Sequence, residues 1–355
     1  MTLRALLAGA IALVGLSGSP SLALEKVVLA HAAPQLTPSY AINSSLPQYL
    51  KYWEEEGLSV EIVPTPGAAA AMQLVISGQA DVAMGAANAA LSAIQRGAAL
   101  KIYFSTLRGD IYGVALPEGS GLSSLTDLKG KTIGVSSFAS AGAPYLKGLL
   151  SSVDLTDQDV SIVEVGVGAR AAGALRSGQV QALALWDEAY VQMEENGIKF
   201  SKIITDPRAA YAFSSSLVAR EEDLKKRQKV MVGLARGIAK AQLFESANLG
   251  AAARIHWKAY PESAPREGAT PQAVAKMEKV LEVRQRIQSR DAFGTGKFGD
   301  LPPGHMEKFQ DFLVETGQLK RSIDPGQYYT NDLIEEINAF DEAAIIEQAK
   351  RFTNP

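Results

Sequence analysis

The sequence predicts an α/β protein of two similar lobes, each a mainly parallel β-sheet flanked by helices, with a ligand cleft between the lobes. Short β-branched runs alternate with single helical stretches, a pattern typical of parallel sheets. A strand–helix–strand unit recurs in the second half of the chain. The length of 355 residues also suits two domains, each with its own core.

The amino-acid composition excludes several classes of function. The chain has no Cys, which removes disulfides, thiolate nucleophiles and cysteine-ligated metals. Its 35 Lys and Arg against 38 Asp and Glu provide no basic face for nucleic acid. We therefore expect no metal, no cofactor and no nucleic-acid partner.

Residues 1–23 have the features of a cleaved export signal. Arg4 precedes an apolar run at 5–16, and Ser21-Leu22-Ala23 supplies small residues for cleavage. The run is shorter than the ~20 residues that a membrane-spanning helix needs. The expectation is a soluble periplasmic protein, monomeric and without membrane insertion of the mature chain.

The first group of elements follows this signal. Strands are predicted at 27–30, 59–66, 80–86 and 100–107, separated by helices over 38–56, 68–77 and 89–95. An extended stretch at 111–121 then leads into a second group. That group has strands at 132–136, 160–166, 180–190 and 200–206, with helices at 143–153 and 169–178 and another that ends near 197.

The two groups match at an offset of 100 residues. The run 60–63 (VEIV) corresponds to 160–163 (VSIV), and Ser-Gly-Gln recurs at 77–79 and 177–179. Helix-poor stretches at 108–118 and 207–218 are predicted to cross between the lobes. This assigns 24–110 and 215–355 to a discontinuous lobe 1 and 111–214 to lobe 2. Later helices, at 221–246, 271–289, 305–316 and 331–351, are expected to wrap the lobes.

Several segments resemble a known family. The runs 60–86, 126–135, 311–319 and 328–340 are similar to substrate-binding proteins of ABC importers in the nitrate, sulfonate and taurine group. Those proteins are in turn similar to binders of thiamine pyrimidine precursors. The resemblance implies a two-lobed periplasmic binding protein fold and a non-enzymatic role, in which a small organic ligand is delivered to a membrane permease. At 180–182 the chain reads Val-Gln-Ala, where the family commonly has Val-Asp-Ala and a downstream Pro, so the resemblance does not specify the ligand.

Ligand contacts are expected where strands end and helices begin, because free N–H groups and the helix dipole point into the cleft there. Small residues at these places let the backbone approach a ligand. The predicted ligand-binding residues are His31, Gln35, Tyr40, Thr65, Gly67, Ala68, Ala87, Asn88, Ser137, Phe138, Ser140, Gly168, Arg170, Trp186, Asp187 and Tyr211.

Several of these candidates also have an ordinary structural interpretation. Ser137 and Ser140 either bind an anionic oxygen or cap the next helix. Arg170 at a helix start opposes the helix dipole, which indicates an anionic ligand unless the residue is simply solvated. Trp186 either stacks on a ligand or packs in the core, and Asp187 accepts from a ligand amine or holds a nearby Arg. Because of the resemblance and Arg170, we expect an anion such as a sulfonate or carboxylate.

The sequence also contains a motif typical of another function class. Gly166, Gly168 and Ala171 fit a dinucleotide-binding G-x-G-x-x-A motif, with Asp187 near the distance expected of a ribose-binding acid. The corresponding turn at 65–68 lacks the motif, and an exported protein meets little dinucleotide. No hydrolase elbow or zinc-ligand spacing occurs. A pyrimidine-precursor binder and a binding protein that serves a sensor remain alternatives.

Overall fold

The computed structural model describes residues 23–353, so nearly all of the predicted export signal lies outside the described residues. Ten strands form two sheets: β1 (Glu25–His31), β2 (Leu58–Pro64), β3 (Val82–Gly85), β4 (Leu100–Arg108), β5 (Tyr112–Pro117), β6 (Thr132–Val135), β7 (Ser161–Glu164), β8 (Ala182–Trp186), β9 (Phe200–Ile204) and β10 (Phe213–Arg220).

Helices cover both sheets. They are α1 (Ser45–Tyr49), α2 (Tyr52–Glu55), α3 (Ala68–Ile76), α4 (Ala87–Gln95), α5 (Gly142–Ser151), α6 (Ala169–Arg176), α7 (Asp187–Glu195), α8 (Glu221–Lys226), α9 (Gln228–Ala247), α10 (Leu249–Ala259), α11 (Pro271–Glu282), α12 (Gln285–Gln288), α13 (Pro303–Glu315), α14 (Pro325–Tyr328), α15 (Ile334–Ile337) and α16 (Glu342–Arg351). Short 3₁₀ helices occupy Pro38–Asn43, Thr126–Leu128, Pro207–Tyr211 and Pro261–Ser263. None of the helices within residues 23–353 combines the length and the hydropathy of a membrane-spanning segment.

The two sheets have the same topology. Their strand orders are β2-β1-β3-β10-β4 and β7-β6-β8-β5-β9. In each sheet, one strand runs antiparallel to both of its neighbours: β10 in the first sheet and β5 in the second. The predicted fold class, two α/β lobes with mainly parallel sheets, is confirmed.

The antiparallel strands come from the crossovers. β5 follows β4 along the chain but pairs in the second sheet, and β10 follows β9 but pairs in the first. The chain therefore crosses between the sheets twice, between Arg108 and Tyr112 and again between Ile204 and Phe213. Two short connections of this kind make a hinge.

The 100-residue offset is a structural repeat. Helices α3 and α6 end at Ser77 and Ser177, and the glycines that follow have φ of +75° and +73°. Three residues further on, the carboxylate of Asp81 accepts from Val28 N at 2.7 Å. At the matching place, the amide oxygen of Gln181 accepts from Thr132 N at 2.9 Å. The start of β3 is thus tied to β1, and the start of β8 is tied in the same way to β6.

Some predicted helices are interrupted. The stretch 38–56 is a 3₁₀ helix followed by α1 and α2, with Lys51 at φ +64° before α2. The predicted helix 221–246 divides at Arg227, whose guanidinium bonds Glu25 and Asp81. Helix α10 was not predicted, although its alanines are buried against α1 and α11. The break at Arg227 and the burial of α10 depend on tertiary contacts, which local periodicity does not report.

Candidate ligand-binding site

A cavity of about 170 Å³ lies between the two lobes. Both sheets direct the carboxyl ends of their parallel strands toward it, since His31 ends β1 and Trp186 ends β8. Seven of the predicted site residues line this cavity: His31, Gln35, Tyr40, Ala68, Ser137, Ser140 and Trp186. The carboxyl ends of strands from both lobes therefore lie at this cavity.

Lobe 1 contributes a neutral polar wall. His31 is only 2% exposed, and its Nε2 lies 3.0 Å from Asn43 Oδ1. Burial lowers the pKa of His31 to about 4, with the Asn43 bond partly opposing this, so the imidazole is uncharged near neutral pH. The rings of His31 and Tyr40 make an edge-to-face contact, with their centroids 4.8 Å apart. Desolvation raises the pKa of Tyr40 to about 12, which keeps its hydroxyl protonated.

Lobe 2 contributes aromatic and acidic groups. Trp186 and Tyr112 line the cavity from neighbouring strands and are half-buried. Glu188, in the first turn of α7, also lines it and is 2% exposed. Burial raises the pKa of Glu188, and the nearby Arg284 opposes that shift.

Arg284, which lies between α11 and α12, bridges to these acids. Its Nη1 is 2.6 Å from Glu188 Oε2, and its Nη2 is 2.8 Å from Asp187 Oδ1. Burial works against the charge of Arg284, but the two carboxylates outweigh it and raise its pKa overall. Among the described residues, Arg284 is the one Lys or Arg that lines the cavity. Its charge is already matched by Asp187 and Glu188.

A further acid lies behind this ion pair. Glu245 is 2% exposed, and its Oε1 accepts from Gln288 Nε2 at 3.1 Å. Burial raises the pKa of Glu245 to about 8, and the charge of Glu188 adds to the rise. The surroundings of the cavity are therefore rich in acids around a single cation.

The other predicted residues do not line the cavity. Asp187 holds Arg284, the second of the two roles considered for it. Asn88 donates to Gln318 at 3.1 Å, and Tyr211 packs under Lys308. Arg170 is exposed on α6 and does not itself line the cavity, although its side chain lies beside Gly166, which does. The rest are Thr65, Gly67, Ala87, Phe138 and Gly168, of which Phe138 is 59% exposed.

Sequence reasoning missed several cavity residues. Glu188 immediately follows a predicted residue, and Tyr112 lies in the stretch expected to cross between lobes, so both had a local signal. Arg284 had none, because it reaches Glu188 from almost 100 positions away in a segment assigned only to wrapping helices. Ser214 and Ser215, on the return crossover, also line the cavity.

The geometry defines a two-lobed α/β fold with a cavity between the lobes. The family described as NMT1/THI5 like matches residues 42–247, which is more than half of the chain. The chain belongs to this family, which confirms the resemblance recognised in the sequence.

Individual relatives are distant. The chain is 29% identical over 147 residues to the 4-amino-5-hydroxymethyl-2-methylpyrimidine phosphate synthase of Schizosaccharomyces pombe; the match covers 41% of each protein. It thus spans less than half the length of that curated relative.

Solved structures show the same fold. A protein of Bordetella bronchiseptica RB50 matches with a TM-score of 0.69 and 23% identity, over 88% of this chain and 96% of that one. The alkanesulfonate-binding protein SsuA of Xanthomonas axonopodis pv. citri, bound to MOPS, matches with a TM-score of 0.64 and 15% identity, over 88% and 97%. At such identities the likeness concerns the fold.

Proposed function

We propose that this protein is an exported, periplasmic solute-binding protein that captures a small organic molecule between its lobes and delivers it to an ABC importer. The cavity between two hinged sheets is the observation that carries this function. Ligand binding at a hinge shifts the population toward a closed form, which a permease can recognise. The family and the binding proteins of the same fold support it.

For the ligand, the structure favours the pyrimidine alternative over an anion. Arg284 lines the cavity, but its guanidinium is already paired with Asp187 and Glu188, so it offers a sulfonate or carboxylate little free charge. An anion placed there would also face the buried Glu188 carboxyl. Flat aromatic walls and hydrogen-bond acceptors instead suit a neutral nitrogen heterocycle with N–H donors. We therefore propose an aminopyrimidine-like ligand, in line with the activity for which the fission-yeast relative is named.

A binding screen tests this proposal. The mature protein is titrated by calorimetry, and its thermal unfolding is followed, with 4-amino-5-hydroxymethyl-2-methylpyrimidine, MOPS, taurine, acetate, nitrate and NAD. A ligand at 100 times its Kd should stabilise the protein by about 2.7 kcal/mol. We expect the aminopyrimidine to stabilise it and the anions to have little effect. Stabilisation by sulfonates alone would reverse the ligand assignment, and stabilisation by NAD alone would overturn the function.

We further propose that the protein does not transform its ligand. Asp187, which the dinucleotide motif would need for a ribose, is engaged by Arg284. Recovery of the bound aminopyrimidine chemically unchanged after long incubation, by mass spectrometry, is the expected result. Any accumulating product would assign an enzymatic function instead.

A further inference from the structure

The two lobes touch through their backbones at one edge of the cavity. Gly67, between β2 and α3 of the first lobe, faces the loop between β6 and α5 of the second. A Cβ added to Gly67 would lie 2.7 Å from the carbonyl carbon of Ala139 and 3.1 Å from Ser140 N. A Cβ is essentially never found as close as 2.7 Å to a backbone carbon, so this contact requires glycine.

A hydrogen bond lies beside this contact. The hydroxyl of Ser137 in lobe 2 donates to the carbonyl oxygen of Pro66 in lobe 1 at 3.1 Å. We call the pair of contacts, Gly67 with Ala139 and Ser137 with Pro66, the seam. Pro66 and Ser137 also line the cavity, whereas Gly67 does not. The seam therefore forms one edge of the cavity wall.

The lobe 1 side of the seam is held in place. Thr65 N donates to the carbonyl oxygen of His31 at 2.8 Å, and the Thr65 hydroxyl lies 3.0 Å from the carbonyl oxygen of Gly67. Helix α3 adds a third restraint, because Ala71 N donates to the same Gly67 oxygen at 3.1 Å. An added methyl group cannot be relieved by a small local shift of this turn.

The lobe 2 side is held as well. Ser140 N and the Ser140 hydroxyl both donate to the carbonyl oxygen of Ser137, which closes a turn around Ala139. Phe138 N donates to Glu164 Oε1 at 2.6 Å and ties this turn to β7. With both sides restrained, the remaining way to accommodate a methyl group is to move the lobes apart.

We propose that Gly67 is a positioning residue for ligand capture: its missing side chain allows the lobes to close over the cavity. This rests on the proposed function, since capture requires closure. The φ of Gly67 is 162°, extended backbone that any residue adopts, so alanine at this position brings no backbone strain. Gly67→Ala therefore perturbs the close approach alone.

Chemical cross-linking measures closure without any ligand. The chain has no Cys, so Ala69→Cys and Phe138→Cys introduce the only two thiols, both at exposed positions next to the seam. A short bismaleimide joins them when the lobes close, and the cross-linking rate reports how often that occurs. In this background Gly67→Ala should slow cross-linking by at least about ten-fold, because the closed form becomes rarer.

Two further variants sharpen the result. Gly173→Ala in α6 adds the same methyl group where nothing lies within 4 Å, and it should leave the rate unchanged. Ser137→Ala removes the seam hydrogen bond without a clash and should slow cross-linking about two- to five-fold. Thermal unfolding of each variant shows that it is folded.

Three outcomes would overturn the proposal. The first is no cross-link in the parent pair, and the second is equal rates for Gly67→Ala and Gly173→Ala. The third is a fall in Tm of more than about 5 °C for Gly67→Ala, which would make Gly67 a packing residue within one lobe. Because no ligand is present, a failed ligand screen leaves this result intact, and a failed cross-link leaves the ligand assignment intact.

Discussion

The two lobes share one scaffold but differ where they meet the ligand. Helices α4 and α7 begin 100 residues apart, at Ala87 and Asp187. In lobe 1 this helix start reads Ala86-Ala87-Asn88, whereas in lobe 2 it reads Trp186-Asp187-Glu188. The residues at this helix start are thus small or neutral in lobe 1, whereas those in lobe 2 are aromatic or acidic.

This difference shows how a repeated fold acquires an asymmetric site. Lobe 2 supplies Trp186 and the acid Glu188, and lobe 1 supplies neutral groups such as His31. The charge of lobe 2 is balanced from outside the repeat, because Arg284 follows α11, which packs on both α10 and α7. The C-terminal segment therefore completes a site that neither copy of the repeat forms alone.

The largest expected effect comes from removing this balance. Arg284→Met leaves Asp187 and Glu188 without their cation, and Arg284 and Glu188 are almost fully buried. Breaking one side of a buried ion pair costs about 3–5 kcal/mol, so the free energy of unfolding in urea should fall by that amount. Adding Glu188→Gln to Arg284→Met should restore part of the loss.

An exposed arginine serves as the control. Arg170→Ala removes a cation from the surface of lobe 2, and its effect on the free energy of unfolding should stay within about 0.5 kcal/mol. Equal losses for the two arginines would show that Arg284 does not join the lobes through a buried pair.

The neutral wall of lobe 1 should show itself in the pH dependence of stability. His31 has a pKa lowered to about 4 in the folded state, against about 6.5 when unfolded. Between these values the unfolded state binds more protons, so this group's contribution is complete above pH 6.5 and is lost as the pH falls toward 4. The loss amounts to about 3 kcal/mol. His31→Gln should reduce the slope of the urea-stability profile over this window by the share of this group, and the buried His256, whose pKa is also lowered to about 4, should account for part of the slope that remains.

Buried acids give the opposite slope and provide the control. Burial raises the folded-state pKa of Glu245 to about 8, so its contribution is complete below its unfolded value and is lost as the pH rises toward 8. Glu245→Gln should remove this falling contribution between about pH 4.5 and 8, and stability should then rise more steeply with pH where this range overlaps the window of His31. If His31→Gln has the same pH profile as the parent, the imidazole is not held neutral by burial.

Particular residues show what could be predicted from the sequence. The repeated Ser-Gly-Gln stops at 77–79 and 177–179 indicated two copies of one unit, because a helix end is a local event. The ends of the predicted strands indicated His31 and Trp186 as cavity residues for the same reason. Arg284 and the seam at Gly67 depend on contacts between distant segments, and no local pattern reports these. Arg170 was attractive as a cation at a helix start, yet its side chain is exposed on α6.

Replacing Trp186 of lobe 2 by alanine, the residue at the matching position of lobe 1, tests whether lobe 2 supplies an aromatic wall for the ligand. Trp186→Ala makes this position match Ala86 and removes one aromatic wall of the cavity. Affinity for the aminopyrimidine, measured by calorimetry, should fall about 10- to 100-fold, whereas Trp186→Phe should keep most of it. An unchanged affinity for Trp186→Ala would place the ligand away from lobe 2.

The smallest effect concerns the matching tie in each lobe. Asp81 accepts from Val28 N and also bonds Arg227, whereas Gln181 accepts from Thr132 N and donates to the carbonyl oxygen of Gly178. Each alanine variant leaves a strand N–H without its acceptor, at about 1 kcal/mol. Asp81→Ala should cost up to about 1 kcal/mol more than Gln181→Ala in urea unfolding, because only Asp81 carries an ion pair, and that pair is partly exposed. The excess should shrink in 1 M NaCl, where the ion pair is screened and the hydrogen bonds are not. An excess that persists in high salt would mean that the two ties differ in packing rather than in charge.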